Sequence, residues 1–80
     1  MTYEEAKAAI LPGVYRHYKG KMYEVIAVAR HSEDLSPMVI YRALYGEGDV
    51  WARPADMWNE TVETPDGAKK RFERTDKAPG

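Results

Sequence analysis

The stretch MYEVIAVAR, Met22 to Arg30, is rich in strand-forming residues yet does not alternate between apolar and polar positions. A strand with one wet face alternates, whereas a strand covered on both sides does not. One short helix is all that the rest of the chain offers as cover. The economical solution is a strongly bent strand that passes from one sheet to the other of a small barrel. The expected fold is therefore mostly β: a small SH3-like or partly open five- to six-stranded β-barrel with a short N-terminal α-helix, forming one domain over residues 1–75.

Working back from Met22, Lys19-Gly20-Lys21 is a hairpin turn, and Val14 to Tyr18 is the strand that precedes it. Pro12 and Gly13 stop a helix spanning about residues 2–10. Its start is marked by Thr2 with Glu5 three residues later, a capping box, and its buried stripe by Tyr3, Ala6, Ala9 and Ile10. Working forward, the second strand runs to His31, Ser32 to Pro37 is a polar loop, and Met38 to Tyr45 is a strand. Gly46-Glu47-Gly48-Asp49 turns the chain into a strand from Val50 to Arg53. Pro54 opens a single helical turn through Met57, and Glu60 to Val62 is a fifth extended segment. Thr64-Pro65-Asp66-Gly67 reads as a turn, Arg71 to Arg74 as an edge strand, and Asp76 to Gly80 as a frayed tail. Met57 and Trp58 are expected to plug the open end of the barrel.

Composition narrows the function. A chain of 80 residues buries roughly 60% of the surface its unfolded form exposes. Its six tyrosines, two tryptophans and one phenylalanine are thus needed mostly for the core. The absence of cysteine removes disulfides, thiolate metal sites and thiol nucleophiles, and suits a reducing cytoplasm. The first ten residues carry acids and no long apolar run, so neither a secretory signal nor a membrane span is expected.

A net charge of −1 argues against a bulk electrostatic grip on nucleic acid or membrane, but the charges are unevenly spread. Arg16, Lys19, Lys21 and Arg30 face only Glu24 within residues 16–31, and Lys69, Lys70, Arg71, Arg74 and Lys77 are set against Glu73 and Asp76. The intervening stretch is acidic. These are ordinary solvated faces or a basic patch, and sequence leaves both open.

Catalytic patterns are thin. His17 and His31 lie on different strands without the spacing of a metal site, and Glu33 and Asp34 beside His31 read as a self-capping turn. Ser32 and Ser36 lie in no strained nucleophile elbow, and Gly46-Glu47-Gly48 lacks the helix that presents amides to a phosphate. An enzyme would have to use His17 or His31 as acid/base with Glu33 or Glu60, none of which is fixed by a motif. No catalytic residue, metal or cofactor is assigned.

Polar and aromatic residues together are more informative. Tyr15, Arg16, His17, Tyr18 and Lys19 on the first strand and its turn, His31, Tyr41 and Arg42, then Trp51 and Arg53, are the residue types that stack on bases or aromatic side chains and hold phosphates. The alternative at Trp51 and Arg53 is structural: they share a face of their strand, and the arginine stem then shields the indole edge.

The segments GVYRHYKG (13–20), ARHSEDLSPMVIYRALYGEG (29–48) and VWARPADMWNETV (50–62) together resemble the bacterial domain of unknown function DUF1653. The motif positions shared with that family include Tyr15, His17, Lys19, Gly20, His31, Ser32, Glu33, Tyr41, Tyr45, Gly46, Trp51, Arg53 and Pro54. Trp58 departs from it, standing where the family pattern usually carries phenylalanine, as a packing position allows. The resemblance implies a compact β-barrel-like domain and brings no catalytic residue, cofactor or substrate with it. The functional expectation is a cytoplasmic binding module with single-stranded nucleic acid as its first candidate ligand. A peptide-binding or other protein partner is the alternative, and a homodimer through an exposed edge strand is compatible with both.

Overall fold

The computed structural model describes residues 1–75. Seven strands and two short helices follow one another as α1 (Tyr3–Ala9), β1 (Gly13–His17), β2 (Met22–Arg30), β3 (Pro37–Ala43), β4 (Val50–Pro54), α2 (Ala55–Trp58), β5 (Thr61–Thr64), β6 (Gly67–Lys70) and β7 (Phe72–Arg74). The expected tail, Asp76 to Gly80, lies outside the described residues. No helix among those described is long and apolar enough to cross a membrane.

The sheet is not a closed barrel. Five antiparallel strands run in the order β4-β3-β2-β1-β7, and β5-β6 form a separate two-stranded ribbon. Every neighbouring pair but β1–β7 is consecutive in sequence, which makes the main sheet a meander that the last strand closes on one side. The strand count is thus corrected to seven, and the sheet, expected as SH3-like or partly open, is open. The expected turn from Thr64 to Gly67 is followed by β6, whose four residues are all exposed and so leave no apolar pattern to read.

The non-alternating stretch Met22 to Arg30 has a different cause from the one expected. Its register with β3 slips between Val25 and Ala27, so Ile26 is the extra residue of a β-bulge and stands 41% exposed. A bulge resets the alternation by one residue and adds twist. The strand therefore stays within one sheet, and its partly buried residues lie on either side of a phase change rather than under two layers.

Residues opposite one another across the ladders share a face. Trp51, Tyr41, Val25 and Gly13 form one row of the core face, with Ala43, Tyr23, Tyr15 and Arg74 in the next and His17 beside Phe72. The core closes over this face. Ala6 and Ile10 of α1 and its C-cap, with Ala55 and Trp58 of α2, are buried against it. The Trp58 and Phe72 rings stack with centroids 3.7 Å apart, and Tyr41 and Tyr15 flank the indole at 4.9 and 5.5 Å. Trp58 thus fills the core as expected, but its neighbour Met57 is 44% exposed and plugs nothing.

Five flat strands would hold β4 and β7 about 19 Å apart. Yet the Arg53 guanidinium of β4 lies 5.7 Å from the Phe72 ring centre of β7, so the sheet is curled until its edges nearly face. The Arg53 guanidinium thus lies over Phe72. The helix start is as expected: the Glu5 N–H donates to Thr2 Oγ1 at 3.1 Å and the Thr2 N–H to Glu5 Oε1 at 2.7 Å.

Candidate functional site

The β1–β2 turn is built around His17. Its carbonyl accepts from the Gly20 N–H at 2.7 Å and its Nδ1 from the Lys19 N–H at 3.2 Å. Gly20 takes φ +105°, which a residue with a Cβ adopts only under strain. The turn is anchored to the far edge of the sheet where the Tyr18 N–H donates to the Arg71 carbonyl at 2.9 Å. This contact brings the residues around the turn alongside β6 and β7. Between them is a cleft of about 440 Å³ lined by Arg16, His17, Tyr18, Lys19, Gly20, Lys69, Lys70 and Glu73.

Four cations and one carboxylate therefore share one cleft with two aromatic rings. Lys19 Nζ lies 5.8 Å from the Tyr18 ring centre, and the His17 and Tyr18 rings are 4.6 Å apart at 34°. Lys69 also approaches Asp66 at 3.9 Å. The opposing stretches that form this site come from the two basic segments of the sequence, 16–21 and 69–74.

His17 continues from the cleft onto the core face. Its ring meets Phe72 edge-on at 5.0 Å and Tyr23 at 6.3 Å. Burial, then the charges of Arg71, Arg53 and Lys19, hold the imidazole below its ordinary pKa. Beyond it, Tyr23 and Tyr45 share a hydroxyl–hydroxyl hydrogen bond of 2.7 Å, and Lys21 Nζ sits 4.3 Å over the Tyr45 ring. Burial and the Tyr45 hydroxyl push the Tyr23 phenol up to about 12, against a smaller opposing pull from Arg53.

The residues singled out from sequence divide into groups. Arg16, His17 and Lys19 meet in the cleft, and Arg53 reaches His17 electrostatically from β4. Tyr15 and Tyr41 are 5% and 6% exposed and belong to the core, the Tyr15 hydroxyl donating to the Leu11 carbonyl at 2.9 Å. Trp51 is 55% exposed and borders a shallower depression of about 300 Å³ with Tyr45 and the Gly46–Asp49 turn. His31 and Arg42 lie elsewhere. A nine-residue strand, on the order of 30 Å long, separates His31 from the cleft, and its Nδ1 is occupied by the Glu33 N–H at 3.1 Å. Arg42 is on the outer face, 3.6 Å from Glu24.

Tyr18, which the sequence groups with the polar and aromatic residues of the first strand, lines the cleft as well, and so do Lys69, Lys70 and Glu73, which the sequence alone does not single out. The two lysines read there as part of a basic run with nothing to set them opposite the first turn. Their convergence depends on the β1–β7 pairing, which joins residues more than fifty positions apart. No group of three or more His, Asp or Glu side chains among the described residues is placed to hold a metal ion.

Three comparisons bear on relationship. The sequence profile of the protein family of unknown function DUF1653 matches residues 13–74. No curated protein matches the chain. The crystal structure of a DUF1653 protein from Bordetella bronchiseptica is similar at a TM-score of 0.80, with 38% identity over 86% of this chain and 91% of that one. The profile spans all five strands of the main sheet, the turn at His17 and the cleft's opposite wall, and on that match the chain belongs to the DUF1653 family.

Proposed function

We propose that this domain is a binding module for single-stranded nucleic acid, seated in the cleft between the β1–β2 turn and β6–β7. The observation that carries the reading is that Arg16, Lys19, Lys69 and Lys70 line one cleft with the Tyr18 and His17 rings and only Glu73 against them. Cations that follow a backbone, interleaved with rings that stack on bases, are the usual means of holding a single strand without strong sequence preference. A volume of about 440 Å³ is in the range of ligand sites generally. The cysteine-free chain suits this role in a reducing cytoplasm.

An amide NMR titration with mixed-sequence single-stranded RNA and DNA, at low and moderate salt, tests the reading. Shifts are expected at Arg16 to Lys21 and Lys69 to Glu73, fading as salt rises. Four phosphate contacts would give a slope of log affinity on log salt near −3, and each Lys→Gln change would reduce it by about 0.7. An unmoved spectrum, or an affinity indifferent to salt, overturns the reading.

A second reading rests on Trp51. An indole 55% exposed at the sheet edge, beside a depression of about 300 Å³, suits an extended peptide with an apolar side chain. Recovery of peptides by the wild-type domain and equally by Trp51→Ala would exclude it.

A further inference from the structure

His17 stands where the cleft meets a second group of cations. Because Nδ1 accepts the Lys19 N–H, the neutral ring carries its proton on Nε2 and offers a donor there. Tyr18 from the turn, Tyr23 from β2 and Phe72 from β7 fix the plane of the ring. The charged groups that act on it are Lys19 in the turn, Arg71 between β6 and β7, and Arg53 on β4, and every one of them is a cation.

Carboxylates do not balance this field. Glu60 is engaged by Arg71 at 2.9 Å, and Glu73 is the one acid of the cleft. Neither Arg53 nor Lys19 forms an ion pair among the described residues. Positive charge thus gathers around one imidazole without the anion that such an arrangement stabilises.

We propose that a single phosphate group binds beside His17, held by Lys19 and Arg16 with Lys69 and Lys70 across the cleft, and that it anchors the ligand. The inference rests on the reading of the cleft given above and sharpens it. The four cations outnumber Glu73 in the cleft, and that excess suits a doubly charged anion with several acceptor oxygens better than a lone carboxylate. Once bound, the phosphate offsets the cationic field at His17 and raises its affinity for a proton, which enters at Nδ1 in place of the bond from the Lys19 N–H.

The test uses the full chain and inorganic phosphate at constant ionic strength, with the His17 ring signals read by NMR as a function of pH. Sulfate, which stays doubly charged throughout, is the parallel probe. Saturable movement of the His17 ring and Lys19 amide, with the His17 pKa rising in the presence of the anion, is expected. Lys19→Gln and Lys70→Gln should each weaken the anion roughly two- to fivefold, and Glu73→Gln should strengthen it by a similar factor. Absence of saturation, or equal affinity in all three variants, overturns the proposal.

Oligonucleotides with and without a 5′-phosphate separate the two claims. If both bind and neither moves the His17 pKa, the phosphate subsite is wrong while the nucleic-acid reading holds. If inorganic phosphate raises that pKa and no oligonucleotide binds, the subsite stands and its ligand is a smaller phosphorylated molecule.

Discussion

The neutral state of His17 links a single side chain to the stability of the domain. Its pKa is lowered in the folded state by burial and by Arg71, Arg53 and Lys19, so the folded protein takes up its proton later than the unfolded chain does. The stability this contributes is complete above the unfolded value of about 6.5 and is lost as pH falls from there through the depressed folded value. Urea unfolding at pH 7.5 and 5.5 should show a larger acid-side loss in wild type than in His17→Gln; equal losses would mean that carboxylates alone set the slope. Leu35 is a second residue with a definite expectation. It holds φ +62° at the tip of the 31–36 turn while 65% exposed, a conformation that costs roughly 1–2 kcal/mol for a residue with a Cβ. Leu35→Gly should therefore raise stability by about 1 kcal/mol, unusual for the removal of a large side chain. Tyr23 supplies a spectroscopic check, because its phenol is pushed up to about 12. In an ultraviolet titration Tyr23 and the buried Tyr15 should ionise late, and Tyr45→Phe should move Tyr23 down.

Among the elements, those with a local chemical signature are legible in the sequence, and those defined by pairing are not. Thr2 and Glu5 announce α1 because a capping box is satisfied within four residues. Thr2→Ala should cost about 1 kcal/mol, measured by thermal or urea unfolding. The Lys19-Gly20-Lys21 turn is equally legible from its glycine. By contrast β6 carries no apolar residue larger than alanine, and its identity as a strand comes only from the ladder with β5. The bulge at Ile26 shows in the sequence as a failure of alternation, but its cause does not, since two covered faces and a register slip leave the same mark. Gly13 shows why a pairing can impose a residue choice from far away. A Cβ there would come 3.2 Å from Arg74 Nη2, at φ +143°, so the glycine is what admits the β7 arginine, which donates to the Pro12 carbonyl at 3.2 Å.

At the scale of the molecule, the aromatic count does foretell the core. Trp58, Phe72, Tyr15 and Tyr41 close it, and the first of these is 2% exposed. Trp58→Ala should cost about 3–5 kcal/mol, against a total of roughly 5–15 for a natural domain, and leave little folded protein by circular dichroism. Trp58→Phe should fold. The same aromatic demand explains why the candidate site is only half legible: Tyr15 and Tyr41 resemble ligand-stacking residues in sequence and are spent on packing, whereas Lys69 and Lys70 become site residues only once β7 joins β1. The open sheet has a further consequence, for how the protein behaves when concentrated. The Ala43 N–H donates to the Asp49 carbonyl, so with the β3–β4 register the backbone groups of Trp51 and Arg53 turn inward and those of Val50, Ala52 and Pro54 face out. Proline has no N–H to offer. The outer rim of β4 therefore ends in an acceptor without a donor, which shortens the template that another chain could extend into a fibril.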